Sequence, residues 1–127
     1  MEILDTTFLI DLAAGVEETK KIASKKDLYT TQINMYEYIC GLFLAKPPKE
    51  KYEEIMEILG DILVLQYDDY AVIRSADIYV ELHKKGKKAN ENDYHIAGIA
   101  LANGISKIIT RNKKHFENIK GIEVVKY

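Results

Sequence analysis

Short apolar runs that alternate with helical segments are the feature that most constrains how this chain can fold. Each run has the length of a strand, and turn or helix-stop residues separate it from the next segment. Strands are predicted at 1–4, 28–31, 61–66, 105–110 and 122–125. Alternation of this kind predicts a parallel sheet with helices on both faces.

Helical patterns fill the intervals between these strands. Helices are predicted at 8–14, 16–25, 33–45, 49–59, 68–85, 92–103 and 113–118. The run Ile62–Leu65 has the pattern of a buried strand. The longest helix is expected to bury a face formed by Val72, Ala76, Tyr79 and Leu82 or His83. No repeat or linker interrupts the 127 residues, so a single domain over 1–127 is expected.

Net charge, cysteine content and the length of apolar runs restrict which partners and which cellular compartment we expect. The formal net charge of −2 gives no whole-molecule attraction to nucleic acid, so any such surface has to be a local patch. The single cysteine, Cys40, excludes an intrachain disulfide and is expected to be buried. No apolar run approaches the ~20 residues of a membrane span. No charged-then-apolar leader opens the sequence, and we expect a cytoplasmic protein that does not bind membranes.

Glu37 is an acid on an otherwise apolar or small-residue face of its predicted helix. That face is formed by Ile33, Cys40, Gly41 and Leu44. The pattern predicts that Glu37 points toward packed structure, where an unpaired carboxylate is unfavourable by roughly several kcal/mol. A buried ion pair, or a position at the edge of the face, would account for Glu37 as well as a functional role would.

Three more polar residues follow strands or begin a helix. Asp93 begins a helical face that continues through Ile96, Ala97, Ala100 and Leu101. An acid in a first turn also suits the helix dipole, so Asp93 alone is ambiguous. Asp5 directly follows the first strand and Asn112 the fourth, and either could simply start a helix. If those two strands flank the point where strand order reverses, Asp5 and Asn112 become neighbours at a crevice.

The three carboxylates suggest a metal site if the fold brings them together. Like charges at close range repel, and one or more would protonate unless a cation lay between them. Oxygen ligands favour Mg²⁺ or Mn²⁺. A hard cation that keeps some of its waters suits phosphodiester hydrolysis, because it lowers the pKa of a bound water and neutralises charge on the phosphate. The candidate residues are therefore Asp5, Glu37, Asp93 and the amide of Asn112.

Four segments of the sequence resemble the PIN-domain family, in particular its VapC-type toxin ribonucleases. The opening Ile3–Asp11 is similar to the hydrophobic strand followed by Asp-Thr-Ser/Thr that begins a PIN domain. Glu37 before Gly41 is similar to the second acid of the family. Asn92–Ala100 resembles the third block, Asp-x-x-Ile-Ala, and Ile108–Phe116 the closing Thr-Arg-Asp/Asn-x-x-x-Phe block. The four segments occur in family order and span nearly the whole chain.

The resemblance implies an α/β fold with about five parallel strands and a Mg²⁺- or Mn²⁺-dependent endoribonuclease. It implies that Asp5 and Asp93 ligate the metal and that Glu37 ligates it or orients a water on it, with Thr6 supporting Asp5 through its hydroxyl. Expected partners are the RNA substrate, a VapB-type antitoxin and a second copy in a homodimer. Asn112 departs from the family, where many members carry Asp, so a second metal ion is in doubt. Glu91 could compensate in part, although a solvated helix-start acid is the simpler interpretation.

Two basic clusters are candidates for contact with RNA. Around the predicted acidic pocket they would form a positive collar that draws phosphates to its rim. The first cluster precedes the helix that contains Asp93, and the second follows the fourth strand. The residues are Lys84, Lys85, Lys87 and Lys88, and then Arg111, Lys113 and Lys114. A solvated lysine turn without a role explains the first cluster nearly as well. Asp11 is expected at the surface.

Two other functions remain open at this level. One is phosphoryl transfer to Asp5, although haloacid-dehalogenase-like phosphatases have a second Asp where Thr7 stands. The other is a non-catalytic module on a PIN fold that binds nucleic acid, which the amide of Asn112 makes conceivable. A nuclease assay with added metal separates this module from an enzyme.

Overall fold

The computed structural model describes residues 1–127, which form five strands and seven helices. The strands are β1 (Glu2–Leu4), β2 (Leu28–Thr31), β3 (Leu63–Leu65), β4 (Lys107–Ile109) and β5 (Glu123–Val125). The helices are α1 (Thr6–Ala13), α2 (Glu17–Ala23), α3 (Gln32–Ala45), α4 (Lys49–Gly60), α5 (Asp69–Lys84), α6 (Glu91–Ala102) and α7 (Lys113–Phe116). All the predicted elements are present, with shifts of a few residues at their ends.

The strands form one fully parallel sheet in the order β3-β2-β1-β4-β5. The chain runs outward from the central β1 through β2 to β3 and then crosses to β4 on the other side. Strand order therefore reverses between β1 and β4, where Leu4 lies opposite Ile109. The predicted α/β fold is confirmed, and so is the prediction that the first and fourth strands are neighbours. The crevice at their carboxyl ends is where a site is expected in such a sheet.

Two apolar cores cover the two faces of the sheet. Neighbouring residues of a strand point to opposite faces, so Ile3 and Ile108 enter one core while Leu4 and Ile109 enter the other. Helices α5, α6 and α7 contribute to the first core, and α1, α3 and α4 to the second. Each core holds one helical layer against the sheet.

Strand β3 and Cys40 are more exposed than the sequence pattern predicts. The buried-strand prediction for Ile62–Leu65 is wrong, since Leu63 is 58% exposed. Strand β3 lies at an edge of the sheet and has only β2 as a neighbour, so an apolar run alone could not reveal its exposure. Cys40 is also exposed rather than buried, on the outer face of α3.

The buried face of α5 differs by one position from the predicted face. The buried residues are Ala71, Ser75, Ile78 and Leu82, while Val72, Ala76 and Tyr79 are exposed. The reason lies in α6, where Gly98 allows the small residues of α5 to come close. A Cβ at Gly98 would collide with the Ser75 hydroxyl and would stand 2.9 Å from the Ala71 carbonyl oxygen. Backbone proximity, rather than the largest apolar side chains, therefore sets the rotation of α5.

None of the helices combines the length and the apolar character that crossing a membrane requires.

Candidate metal centre

A polar cavity of about 470 Å³ opens at the carboxyl end of the sheet, beside β1 and β4. No hydrophobic residue lines it. Its lining residues are Asp5, Thr6, Thr7, Glu37, Asn90, Glu91, Asn92, Asp93, Asn112 and His115. A larger cavity of about 1130 Å³ lies between α1, α2, α4 and the strands β2 and β3, and none of the candidate acids lines it. The fold thus brings Asp5, Glu37, Asp93 and Asn112 together, from four separate parts of the chain.

Asp5 is fixed at the end of β1 by donors on both sides of its carboxyl group. Its Oδ1 accepts a hydrogen bond from Asn34 Nδ2 at 2.9 Å, and its Oδ2 accepts one from Thr110 Oγ1 at 2.7 Å. Although Asp5 is the N-cap residue of α1, its side chain makes no capping hydrogen bond. Burial raises the pKa of Asp5, the Thr110 hydrogen bond opposes that rise, and the charge of Glu37 adds to it. The side chain is therefore held for something other than starting the helix.

Glu37 is half-buried and has no cationic partner. Its Oε1 accepts a hydrogen bond from Thr6 Oγ1 at 2.7 Å, and its Oε2 accepts a long one from Asn92 Nδ2 at 3.4 Å. The buried ion pair considered from the sequence is absent. The Thr6 hydroxyl bonds Glu37 and not Asp5, so the predicted support of Asp5 by Thr6 is wrong. Thr6 follows Asp5 at the start of α1, and its side chain faces α3 instead.

Glu37 lines the cavity, but the helical face from which it was selected in the sequence is not the buried face of α3. Leu44, expected to share a buried stripe with Glu37, is 85% exposed. The packed face of α3 runs through Asn34, Tyr38 and Leu42. Glu37 lies at the border of that face, which lets it reach the cavity while remaining partly shielded.

Asp93 is the acid with the least satisfied carboxyl group. It is 5% exposed, and its Oδ2 is buried without any hydrogen-bond partner. His115 Nδ1 lies 3.6 Å from that oxygen. Burial raises the pKa of Asp93 to about 6, the charge of His115 lowers it, and the charges of Asp5 and Glu37 raise it further. The helical face below Asp93 is apolar as predicted, with Ala97 fully buried.

The cavity fits a hard divalent cation that keeps part of its hydration shell. The acidic residues that line the cavity offer only oxygen atoms as ligands. The Oδ2 of Asp93 is a buried acceptor without a hydrogen-bond partner, and a cation would satisfy it. No three Asp, Glu, His or Cys side chains lie close enough together to coordinate one ion by themselves. A cation would therefore take a few carboxylate oxygens and complete its shell with water, as Mg²⁺ commonly does.

Sequence reasoning missed Asn34, Thr110, Asn92 and His115, which contact the acids. Thr110 follows β4 just as Asp5 follows β1, so the parallel register sets them side by side. Asn34 lies three residues before Glu37, about one helical turn away on the same helix. Both signals were present in the sequence, but they acquire meaning only once strand pairing and helix orientation are known.

The predicted basic collar does not line the cavity. In the first cluster Lys85 pairs with Glu81 at 3.3 Å, and Lys87 Nζ donates to Asn118 Oδ1 at 3.3 Å. Lys113 and Lys114 directly precede His115, which does line the cavity. Contact between RNA and either of the two basic clusters stays a prediction.

Arg111 and Asp11 form an ion pair outside the cavity. Arg111 Nε lies 2.8 Å from Asp11 Oδ2, and Tyr127 Oη donates to the same oxygen at 2.6 Å. The Asp11 side chain is 15% exposed, so it is not the surface residue that was predicted. This cluster connects α1 to the segment after β4 and to Tyr127, two positions after β5.

The sequence is similar to those of known proteins. A family model for the PIN domain matches residues 3–122. The tRNA(fMet)-specific endonuclease VapC of Salmonella typhimurium is 31% identical over 94 residues, which are 74% of this chain and 70% of that protein. Ribonuclease VapC1 of Methanocaldococcus jannaschii is 27% identical over 119 residues, 93% of this chain and 80% of the relative.

The fold is shared with solved VapBC complexes. DNA-bound VapBC from Salmonella typhimurium matches with a TM-score of 0.87 at 26% identity, over 98% of this chain and 96% of that chain. A VapBC2 complex from Rickettsia felis has the same TM-score of 0.87 at 18% identity, over 99% of this chain and 98% of that chain, which shows a common fold. The matched family model, the relatives and the shared fold together show that the chain belongs to the PIN-domain family, as a VapC-type member.

Proposed function

We propose that the protein is a Mg²⁺- or Mn²⁺-dependent endoribonuclease and the toxin of a VapBC-type toxin–antitoxin pair. The observation that carries this proposal is the convergence of Asp5, Glu37 and Asp93 on one polar cavity, with a buried Asp93 oxygen that has no donor. The ribonuclease names of the relatives support the reaction, and the VapBC complexes among the structural matches support the pairing.

The residues of the cavity suit hydrolysis of a phosphodiester. Asp5 and Asp93 would hold the cation, with Glu37 as the group that orients a water beside it. Bound there, a divalent cation lowers the pKa of a water and neutralises charge on the phosphate. Asn112 places an amide on the wall, where it can accept or donate a hydrogen bond. His115 adds a ring nitrogen on the same wall, within reach of a phosphate oxygen.

The polar lining favours a nucleic-acid backbone over an apolar ligand. Because no hydrophobic side chain lines the cavity, a substrate gains little there from apolar burial. The attraction of RNA must then come from the cation and from the neighbouring basic residues. We include in the proposal the two clusters Lys84, Lys85, Lys87, Lys88 and Arg111, Lys113, Lys114, acting from outside the cavity.

We propose that the protein binds a VapB-type antitoxin and a second copy of the chain. Exposed apolar side chains support this proposal. Tyr36, Phe43 and Leu44 of α3 are exposed, as are Tyr70 and Ile73 of α5. Large apolar groups clustered at a surface commonly mark interaction sites. Light scattering over a range of protein concentrations tests the homodimer, and copurification with the product of a neighbouring short reading frame tests the antitoxin. We further propose the cytoplasm as the compartment, where single thiols such as Cys40 stay reduced.

The deciding experiment compares RNA cleavage by the wild type and by Asp5→Asn. A pool of fluorescently labelled RNAs is incubated with each protein in Mg²⁺, in Mn²⁺ and in EDTA. We expect cleavage by the wild type only with metal, and none by Asp5→Asn. Asp77→Asn, which changes an exposed acid of α5, is the matched control and should cleave normally. Equal cleavage by Asp5→Asn would refute the assignment, whereas RNA binding without cleavage by the wild type would favour the non-catalytic module.

A further inference from the structure

A buried amide connects Asp5 and Glu37, two of the acids that line the cavity. Asn34 lies in the first turn of α3 and is 0% exposed. Its Nδ2 donates to Asp5 Oδ1 at 2.9 Å and to Thr6 Oγ1 at 3.1 Å. Thr6 Oγ1 in turn donates to Glu37 Oε1 at 2.7 Å. One side chain thus contacts Asp5 directly and Glu37 through a single hydroxyl.

The direction of each hydrogen bond in this chain follows from the chemistry of its members. The backbone N–H of Asn34 donates to Thr31 Oγ1, so the one hydroxyl hydrogen of Thr31 is free to point at Asn34 Oδ1, 2.7 Å away. With its oxygen so occupied, the amide turns its NH₂ group toward Asp5 and Thr6. Thr6 accepts from that NH₂ group and directs its own single hydrogen to Glu37. Reversing any member would place two donors or two acceptors face to face.

We propose that Asn34 is a positioning residue for the metal site, whose amide holds Asp5 and Glu37 at a fixed separation before the cation binds. Two neighbouring carboxylates repel each other, and without a shared donor they would turn apart. Hydrogen bonds to charged acceptors are strong enough to resist that movement. Residues that orient metal ligands in this way commonly contribute about 10- to 100-fold to metal affinity. The inference rests on the proposed function, because it requires the cavity to bind a cation.

The test measures Mn²⁺ binding to the purified protein without RNA, by titration calorimetry. Asn34→Leu keeps the branched shape of the side chain and removes both donors, and we expect it to weaken Mn²⁺ binding about 10- to 100-fold. Thr30→Val is the matched control. Thr30 is also 0% exposed and donates to the Leu4 carbonyl oxygen at 2.8 Å, but its side chain makes no hydrogen bond with either acid. We expect Thr30→Val to lower thermal stability while leaving Mn²⁺ affinity unchanged.

A second variant separates positioning from a general loss of packing. Thr6→Val removes only the branch to Glu37, and we expect a smaller loss of Mn²⁺ affinity than in Asn34→Leu. Combined with Asn34→Leu, Thr6→Val should add little, since both act along one chain of hydrogen bonds. If Asn34→Leu does not fold, as judged by circular dichroism, Thr6→Val decides the question alone.

Cleavage as a function of Mg²⁺ concentration provides the second readout. For folded Asn34→Leu the curve should shift to higher Mg²⁺ and approach the wild-type rate at saturation, because affinity for the ion is what has changed. Wild-type Mn²⁺ affinity in folded Asn34→Leu, or in Thr6→Val if that variant decides, overturns the positioning role. Absence of Mn²⁺ binding to the wild type would instead overturn the proposed function itself.

Discussion

Replacing Asp93 by Asn should stabilise the metal-free protein, and only above a defined pH. Burial, which is the main cause, raises the pKa of Asp93 from 3.8 to about 6 in the folded protein. The folded state therefore holds more protons than the unfolded state between those two values, and the free energy of unfolding falls as pH rises through that window. Above pH ~6 the wild type carries the full penalty of a buried charge, whereas Asn carries none.

The size of the effect follows from the pKa shift. About two pKa units correspond to about 3 kcal/mol. Screening by water in the open cavity reduces this to about 2 kcal/mol. For a domain of 127 residues the gain amounts to about 6–10 °C in melting temperature. At pH ~4 folded Asp93 is protonated and unfolded Asp93 is about half protonated, so most of the gain should be lost there.

Urea unfolding followed by circular dichroism, in EDTA at pH 7.5 and at pH 4, measures this difference. Asp77→Asn on the exposed side of α5 should change the free energy of unfolding at neither pH. Saturating Mn²⁺ at pH 7.5 should reverse the ranking, because an ion at 100 times its dissociation constant stabilises the protein that binds it by about 2.7 kcal/mol. A gain of equal size at both pH values, or none at pH 7.5, would refute the reasoning.

Three further predictions concern catalysis, RNA contact and packing. Asp5→Asn should lower the RNA cleavage rate by more than about 100-fold, comparable to the loss of other metal-site groups, without loss of thermal stability in EDTA. The second prediction changes four lysines together to Gln, namely Lys84, Lys85, Lys87 and Lys88. Fluorescence anisotropy should show weaker RNA binding, and the logarithmic slope of its salt dependence should flatten by about 0.7 for each lost phosphate contact, with Mn²⁺ binding unchanged. An unaltered slope would mean that this turn is ordinary surface. Gly98→Ala should lower the free energy of unfolding by about 1–3 kcal/mol because the added Cβ meets α5. Gly41→Ala, with nothing within 4 Å, should instead raise it by up to about 1 kcal/mol, and similar effects of the two changes would contradict the close helix approach.

Local patterns in the sequence were sufficient to predict the elements and their parallel arrangement. Strand-forming runs and helix stops act over a few residues, so the elements were found with small errors at their ends. The exposure of Leu63 depended instead on which strand lies at the edge of the sheet. The inward face of α5 depended on a glycine in another helix, Gly98. Neither feature can be recognised from the sequence of the segment concerned, because each depends on residues elsewhere in the chain.

The residues of the candidate site also divide into those that the sequence reveals and those that only the fold reveals. Asp93 was identifiable because a carboxylate on an apolar helical face is unfavourable unless something compensates its charge, and Asp5 because it directly follows the first strand. Asn34 and Thr110 are uncharged and occupy positions at a helix start and a strand end, where such residues are ordinary. Only the paired strands and the direction of α3 reveal that they donate to an acid. The pairing of Thr6 with Glu37 was missed for the same reason.

The central position of β1 has a consequence for the time at which the protein becomes active. Asp5 is synthesised well before its partner Thr110, which is 105 positions later in the chain. A growing chain that has not yet reached Thr110 lacks one of the two side-chain hydrogen bonds that hold Asp5, and it has no His115 beside Asp93. We therefore expect a nascent chain to be inert until the residues up to His115 have been synthesised and have folded.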